Sequence, residues 1–177
     1  MSEIRNAWGF TLFADDLRHE VGGKTSLMGI YQLDMIHPLD FPITIPKFVM
    51  LIKYYEVKGA FNGDNLVVKV FFPGDAEDEP TVNMTVAGSF RDSVEPTYQP
   101  DADSERILNV TMPIVISPLT IKEEGFIRVR VQCGETITRM GRLMIRKLRD
   151  SDNIQFIPSP SASPSPFSQP LPAAPAS

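Results

Sequence analysis

From residue 9 onward, apolar and polar positions alternate with a period of two, and no amphipathic helix longer than two turns interrupts them. Residues 9–20 read as a first strand whose apolar positions change parity, with Phe10, Leu12 and Ala14 on one face and Leu17 and Val21 on the other. One extra residue near Asp15 and Asp16 has this effect, so a bulge is expected there. Gly22 and Gly23 read as a two-residue hairpin turn into a second strand over 24–36. That turn sets Arg18 opposite Leu27, Leu17 opposite Met28 and Asp16 opposite Gly29. Pro38, Pro42 and Pro46 mark a loop, because proline offers a ladder no N–H. Residues 47–58 form a third strand, apolar on both faces at its start and therefore central.

Asn62, Gly63 and Asp64 make a hairpin bend into a strand over 65–72, with Leu66, Val68, Val70 and Phe72 sharing a face. After an acidic loop over 73–80, Val82, Met84 and Val86 alternate with polar neighbours as a strand with one buried side. Residues 92–105, with two prolines and five acids, read as a solvated loop. Residues 106–117 place Leu108, Val110, Met112, Ile114 and Ile116 on one face, and Pro113 assigns this strand to a sheet edge. Residues 125–133 point Ile127, Val129, Val131 and Cys133 inward and Arg128, Arg130 and Gln132 outward. Gly134 and Glu135 then turn the chain into a last strand over 136–147, with Ile137, Leu143 and Ile145 inward.

About eight strands at these spacings predict an all-β domain over 1–150, an antiparallel two-sheet β-sandwich of immunoglobulin-like or C2-like architecture. The usual immunoglobulin marks are missing: Cys133 has no second cysteine to pair with, and Trp8 lies near the start of the chain. Residues 151–177 read as a tail. Its last 20 residues hold seven Pro, six Ser, four Ala and no charge, a composition too poor in apolar surface to offset the entropy of ordering. A disordered tail is the plain reading, and a short docking peptide around Phe167 and Leu171 the alternative.

Composition narrows the class. A single cysteine excludes an internal disulfide, the opening residues lack the apolar run of a secretory signal, and the longest unbroken apolar run is the five residues 48–52. A cytoplasmic protein with no membrane span is expected. The net charge of −5 is uneven: over 122–149 eight Lys/Arg stand against three Glu, so that stretch is +5 and the remainder −10.

The basic stretch yields the better candidate surface. Arg128, Arg130, Arg142 and Arg146 have even parity on two neighbouring strands and so share one outward face, with Arg139, Lys147 and Arg149 at its edge. Clustered guanidinium groups suit phosphates or carboxylates. The plainer reading is a solvated sheet face covered by acids from the negative loops. The acidic net charge and the lack of aromatics between the arginines argue against nucleic acid. Asp15, Asp16, His19 and Glu20 offer oxygen ligands for a hard cation, yet adjacent strand residues point to opposite faces, and Arg18 and Lys24 stand ready to neutralise them. A structural ion-pair cluster at the hairpin base is therefore expected ahead of a metal site. His37 lies between Asp34 and Asp40 in a loop, where a solvated histidine is the plain reading, and Cys133 has the inward parity of a packed thiol. No Gly-x-Ser-x-Gly, phosphate-loop, dinucleotide-binding, paired Cys-x-x-Cys or His-Glu-x-x-His pattern occurs, and nothing asks for a cofactor.

One run carries a resemblance. Phe13, Asp15, Asp16, Leu17, Arg18, Glu20, Gly23, Lys24, Ser26, Leu27, Gly29 and Tyr31 fall in the order F-x-D-D-[IL]-R-x-E, then G-K-x-[ST]-[LI]-x-G-x-Y. This resembles the N-terminal signature of an uncharacterised family of small bacterial proteins. The resemblance implies a bacterial source and a domain without an assigned activity, and it transfers no catalytic residue. It marks Asp15, Asp16, Arg18, Glu20 and Lys24 as candidate interaction residues beside the arginine face. The expected function is non-enzymatic: contact with a protein partner, as an adaptor or accessory module. The alternatives are a metal-dependent binder or enzyme built on the Asp15 to Glu20 cluster, and an anion or nucleic-acid binder built on the basic hairpin.

Overall fold

The alternation resolves into twelve strands and one short helix among residues 6–61, 63–93, 107–150 and 152, the residues described by a computed structural model. The strands are β1 (Ala7–Ala14), β2 (Asp16–His19), β3 (Thr25–Met28), β4 (Asp34–His37), β5 (Ile43–Ile45), β6 (Phe48–Val57), β7 (Leu66–Phe71), β8 (Val82–Val86), β9 (Ile107–Ile116), β10 (Leu119–Ile121), β11 (Gly125–Cys133) and β12 (Thr136–Lys147). The helix α1 (Gly88–Ser93) follows β8 and takes up the start of what reads in sequence as loop. The tail expected to be disordered falls outside the described residues apart from Asp152, as do Asn62 and residues 94–106.

Two sheets carry the fold. One has the order β1-β6-β9, with the long apolar β6 central and Pro113 on an edge strand, both as expected. The other has the order β4-β12-β11-β7-β8 and is antiparallel except for the β4–β12 pair. Leu66, Val68, Val70, Ile127, Val129, Val131, Leu143 and Ile145 face inward from the second sheet. Phe13, Phe48, Met50, Ile52, Tyr54 and Met112 meet them from the first in one hydrophobic core. Ile43, Ile45, Leu119 and Ile121 of the small β5–β10 ribbon join the same core. The chain is thus an all-β sandwich, held by alternation that buries one face of most strands in the two main sheets and by β6, whose first five residues are buried on both faces.

The count exceeds eight because two expected strands each divide and two short ones appear. Residues 9–20 do not bulge within one strand. They break at Asp15 into β1, which pairs with β6, and β2, which pairs with β3 in a separate ribbon. The corner is closed by the Asp15 amide donating to Met28 O at 3.0 Å and the Tyr31 amide donating to Phe13 O at 2.9 Å. Gly29 sits at φ 66° against the Asp15 carboxylate, where a Cβ has no room, and this ends β3.

The β2–β3 turn also differs. The Glu20 amide bonds Lys24 O at 2.8 Å, closing a three-residue loop of Val21, Gly22 and Gly23 with both glycines at positive φ. One more loop residue slips the register by one, so Asp16 faces Met28, Leu17 faces Leu27 and Arg18 faces Ser26. The hairpin expected at Asn62 to Asp64 does not form, because β6 and β7 lie in different sheets; Asn62 itself is outside the described residues.

The register between the last two strands shapes the site. β11 and β12 pair across Gly134 and Glu135 as expected, but the register shifts at Val129 and Arg130, which face Gly141 and Arg139. Met140 is the extra residue of this bulge. It turns inward, 1% exposed, onto the backbone of Gly9 in β1, so parity reverses before it and Ile137 is 57% exposed instead of inward. A Cβ at Gly9 would collide with both the Met140 thioether and the Lys53 carbonyl. Gly9→Ala is therefore expected to cost about 1–3 kcal/mol in urea denaturation, the range for overpacking. Met140→Ala added to it should not restore stability, because the Lys53 carbonyl is backbone and cannot withdraw.

Candidate anion-binding groove

In the shifted register Arg128 stands directly opposite Arg142, and Arg130 directly opposite Arg139. Arg139 shares its odd number with the inward Leu143 and Ile145, and it reaches the outer face only because Met140 is bulged out of the ladder. The four arginines, with Val129 and Gly141, line a groove of about 420 Å³ on the outer face of the second sheet. Like charges directly opposite on neighbouring strands are destabilising. Such a pairing made twice in succession is a local rule broken, and sites of function are where such breaks are expected.

Two phenylalanines hold three of the four guanidinium groups. Phe71 of β7 faces Arg128 in the ladder and projects from the outer face, yet it is only 1% exposed. The guanidinium carbons of Arg128 and Arg130 lie 5.2 and 4.8 Å from its ring centroid and cover it. Arg142 lies 4.6 Å from the Phe126 centroid. The rings attract the cations through their quadrupole and are shielded from water in return. This corrects the expectation that no aromatic stands among the arginines: Phe71 comes from a strand distant in sequence, and Phe126 from the start of β11.

The acidic β7–β8 loop reaches over one side of the groove. Glu77 gives one carboxylate oxygen to Arg128 Nη1 and the other to Arg130 Nη2, the latter at 2.6 Å. Hydrogen bonding from Arg130 holds its carboxyl below the usual range; burial opposes this, and hydrogen bonding and charge from Arg128 add to the lowering. Asp75 shapes the loop by accepting from the Phe72 amide at 2.8 Å, the Thr81 amide at 3.0 Å and the Thr81 hydroxyl at 2.9 Å. Burial pushes Asp75 up, and these bonds together with the Arg128 charge outweigh it and keep the carboxyl low. Part of the face is thus covered by its own acidic loop. Arg139 and Arg142 are exposed and meet no carboxylate among the described residues.

Arg146 does not belong to the groove. Its Nε bonds Asp34 Oδ2 at 2.9 Å and its Nη1 bonds Asp152 Oδ2 at 2.6 Å, and its side chain is 16% exposed. It ties the edge strand β4 and the end of the sandwich to β12. Lys147 pairs with Asp40, and Arg149 lies 3.6 Å from Glu124.

The N-terminal candidates do not converge on one site. Asp15 accepts from the Tyr31 hydroxyl, whose pKa is raised by burial and then by that carboxylate. Asp16 pairs with Lys47 and, at 3.5 Å, with Arg18. The Lys47 bond holds the Asp16 carboxyl low. Lys47, across the loop from β2, is the partner that sequence spacing missed. Glu20, His19 and Lys24 are exposed at the turn and join no ion pair among the described residues. No group of three or more His, Cys, Asp or Glu converges among those residues. His37 Nδ1 accepts from the Leu39 amide at 3.2 Å, and Cys133 is buried at 2% exposure on its inward face.

No protein-family profile, curated protein or solved structure matches this chain. Among the described residues no helix is long and apolar enough to cross a membrane.

The Arg146 bridge makes a pH prediction. Hydrogen bonding from Arg146, and then from the Arg149 amide, depresses the Asp152 carboxyl. A depressed folded-state value stabilises above the ordinary carboxylate pKa, and that stabilisation is lost as pH falls through the lowered value. Arg146→Met should melt below the parent at pH 7, and the gap should close on acidification below about pH 3.9, the ordinary Asp value. A gap that persists unchanged into acid would show that packing of the arginine stem, not charge, carries the effect.

Proposed function

We propose that this protein is a non-enzymatic cytoplasmic binding module, an adaptor or accessory protein, that holds an anionic group of its partner in the β11–β12 arginine groove. The observation that carries the reading is the double apposition of Arg128 with Arg142 and Arg130 with Arg139, in which the β11 member of each pair is matched by Glu77 and the β12 member by no described carboxylate. A bound anion would relieve the repulsion that the fold builds in, which gives the ligand a stabilising role. Phe71 holds Arg128 and Arg130 in place beforehand and Phe126 holds Arg142, so less rotamer freedom is lost by these three on binding. The metal-dependent alternative loses ground because Asp15 and Asp16 are engaged separately, by Tyr31 and by Lys47.

The test is thermal denaturation at low ionic strength with citrate and with tripolyphosphate, for the parent and for Arg139→Ala/Arg142→Ala. A ligand that binds only the folded state stabilises by RT ln(1 + [L]/Kd), about 2.7 kcal/mol at a hundredfold excess over Kd. The parent should gain melting temperature with both anions, and the gain should shrink as salt is added. The double variant should lose most of the gain while melting close to the parent in plain buffer, because the like-charge contacts it removes offset the lost packing of Arg142 on Phe126. An equal gain in both proteins would overturn the reading.

A further inference from the structure

We infer that the cognate ligand of the groove is an acidic peptide segment bearing two closely spaced carboxylates, and that Glu77 is a built-in stand-in for one of them. The inference deepens the anion-groove reading and rests on it. Arg128 and Arg130 are alternate residues of β11, about 7 Å apart along the strand. One carboxylate spans them, an oxygen to each guanidinium, as Glu77 shows. The Met140 bulge brings Arg139 and Arg142 level with that pair on the neighbouring strand, Arg139 beside Arg130 and Arg142 beside Arg128. The groove therefore repeats one carboxylate seat across the two strands, about 4.8 Å apart.

The first seat is taken from within the chain and the second is open to solvent. The loop that fills the first reads Glu77-Asp78-Glu79, two glutamates at alternate positions, but Glu79 is exposed and reaches no cation among the described residues. The chain thus fills half of the site with the very group we assign to the ligand. An extended Glu-x-Glu segment sets its two side chains on one side about 7 Å apart, and flexible glutamate stems close the difference to the strand spacing. The exposed Asp78 and Glu79 beside Glu77, and the net charge of −5, oppose a long polyanion such as nucleic acid. A short acidic segment with neutral flanks suffers less of that repulsion. Glu77, exposed on a surface loop, gives way to it.

The consequence is competition. A site occupied from within binds its ligand more weakly by the fraction of time it is open, so Glu77→Gln should tighten binding about three- to tenfold. The experiment titrates the full chain, parent and Glu77→Gln, with a neutral-flanked Glu-x-Glu peptide, its Gln-x-Gln counterpart, tripolyphosphate and a short single-stranded oligonucleotide. Expected is binding of Glu-x-Glu but not Gln-x-Gln, tightened in Glu77→Gln and abolished by adding Arg139→Ala/Arg142→Ala. An unchanged Kd for Glu-x-Glu in Glu77→Gln, with a melting temperature equal to the parent's, overturns the stand-in role. Tighter binding of the oligonucleotide or tripolyphosphate than of Glu-x-Glu makes the groove a phosphate site and overturns the ligand class. If tripolyphosphate binds through Arg139 and Arg142 while Glu-x-Glu does not bind, only the present inference falls. If no probe responds to the loss of those arginines, the groove reading falls with it.

Discussion

The pairing of β11 with β12, and the one residue by which it is irregular, is the constraint on which the rest of the structure depends. Both strands lie inside the five-stranded sheet, so each must satisfy a neighbour on either side and the core beneath. An uninterrupted ladder would have sent Ile137, Arg139, Leu143 and Ile145 to the same face, and a guanidinium would have gone into the core. Burying an unpaired arginine is far costlier than a bulge. Met140 resolves the conflict by leaving the ladder. Its flexible thioether fills the space over Gly9, where the edge strand of the other sheet comes close, and so it fastens the two sheets to each other at the point where the register changes.

The energetics of the outer face follow from that choice. Two arginine pairs are set against each other where a sheet would ordinarily place opposite charges. Three features soften the repulsion. Phe71 and Phe126 lie beneath guanidinium groups, the Glu77 carboxylate is shared between Arg128 and Arg130, and the remaining two arginines are exposed enough for water and counterions to screen them. None of these contacts is worth much singly, since exposed ion pairs contribute only about 0–1 kcal/mol. The arrangement is therefore a poor way to stabilise a sheet and a serviceable way to present fixed N–H donors to an anion. Arg146 shows the contrast. It sits further along the same strand with two carboxylates and little solvent, and it serves to hold β4 in place.

How much of this was legible in the sequence varied with the range of the interaction that decided each feature. The period-two alternation fixes which residues of β6, β7, β9 and β11 face the core, because strand geometry imposes it whatever the partner. The edge position of β9 was readable from Pro113 and the two-residue turn from Gly134, both local chemistry. What could not be read was decided by contacts distant in sequence. The corner at Asp15 depends on Tyr31 and Gly29, the Asp16 partner is Lys47, and the inward turn of Met140 depends on a vacancy at Gly9. Of the arginine face, Arg128, Arg130 and Arg142 were found by parity. Arg146 was grouped with them because parity does not report that Asp34 and Asp152 engage it.

The stretch of densest charge in the sequence, residues 15–24, illustrates the limit of reading chemistry from composition. Its acids lie at a corner where the chain leaves one sheet for a two-stranded ribbon, a place with main-chain groups that the ladders no longer serve. Asp16 accepts from the Leu17 amide at 2.8 Å as well as from Lys47, and Asp15 accepts from Tyr31, whose ring packs 6.2 Å from that of Phe48 in the core. These carboxylates terminate one element and orient the next. The groove, by contrast, draws its cations from two strands inside a five-stranded sheet, whose ladders on either side hold charges that repel each other. A rigid sheet can keep such charges in place where a loop would let them swing apart. That is the physical reason to look for binding on the sheet face, although the loop-rich N-terminal stretch has the more eye-catching sequence.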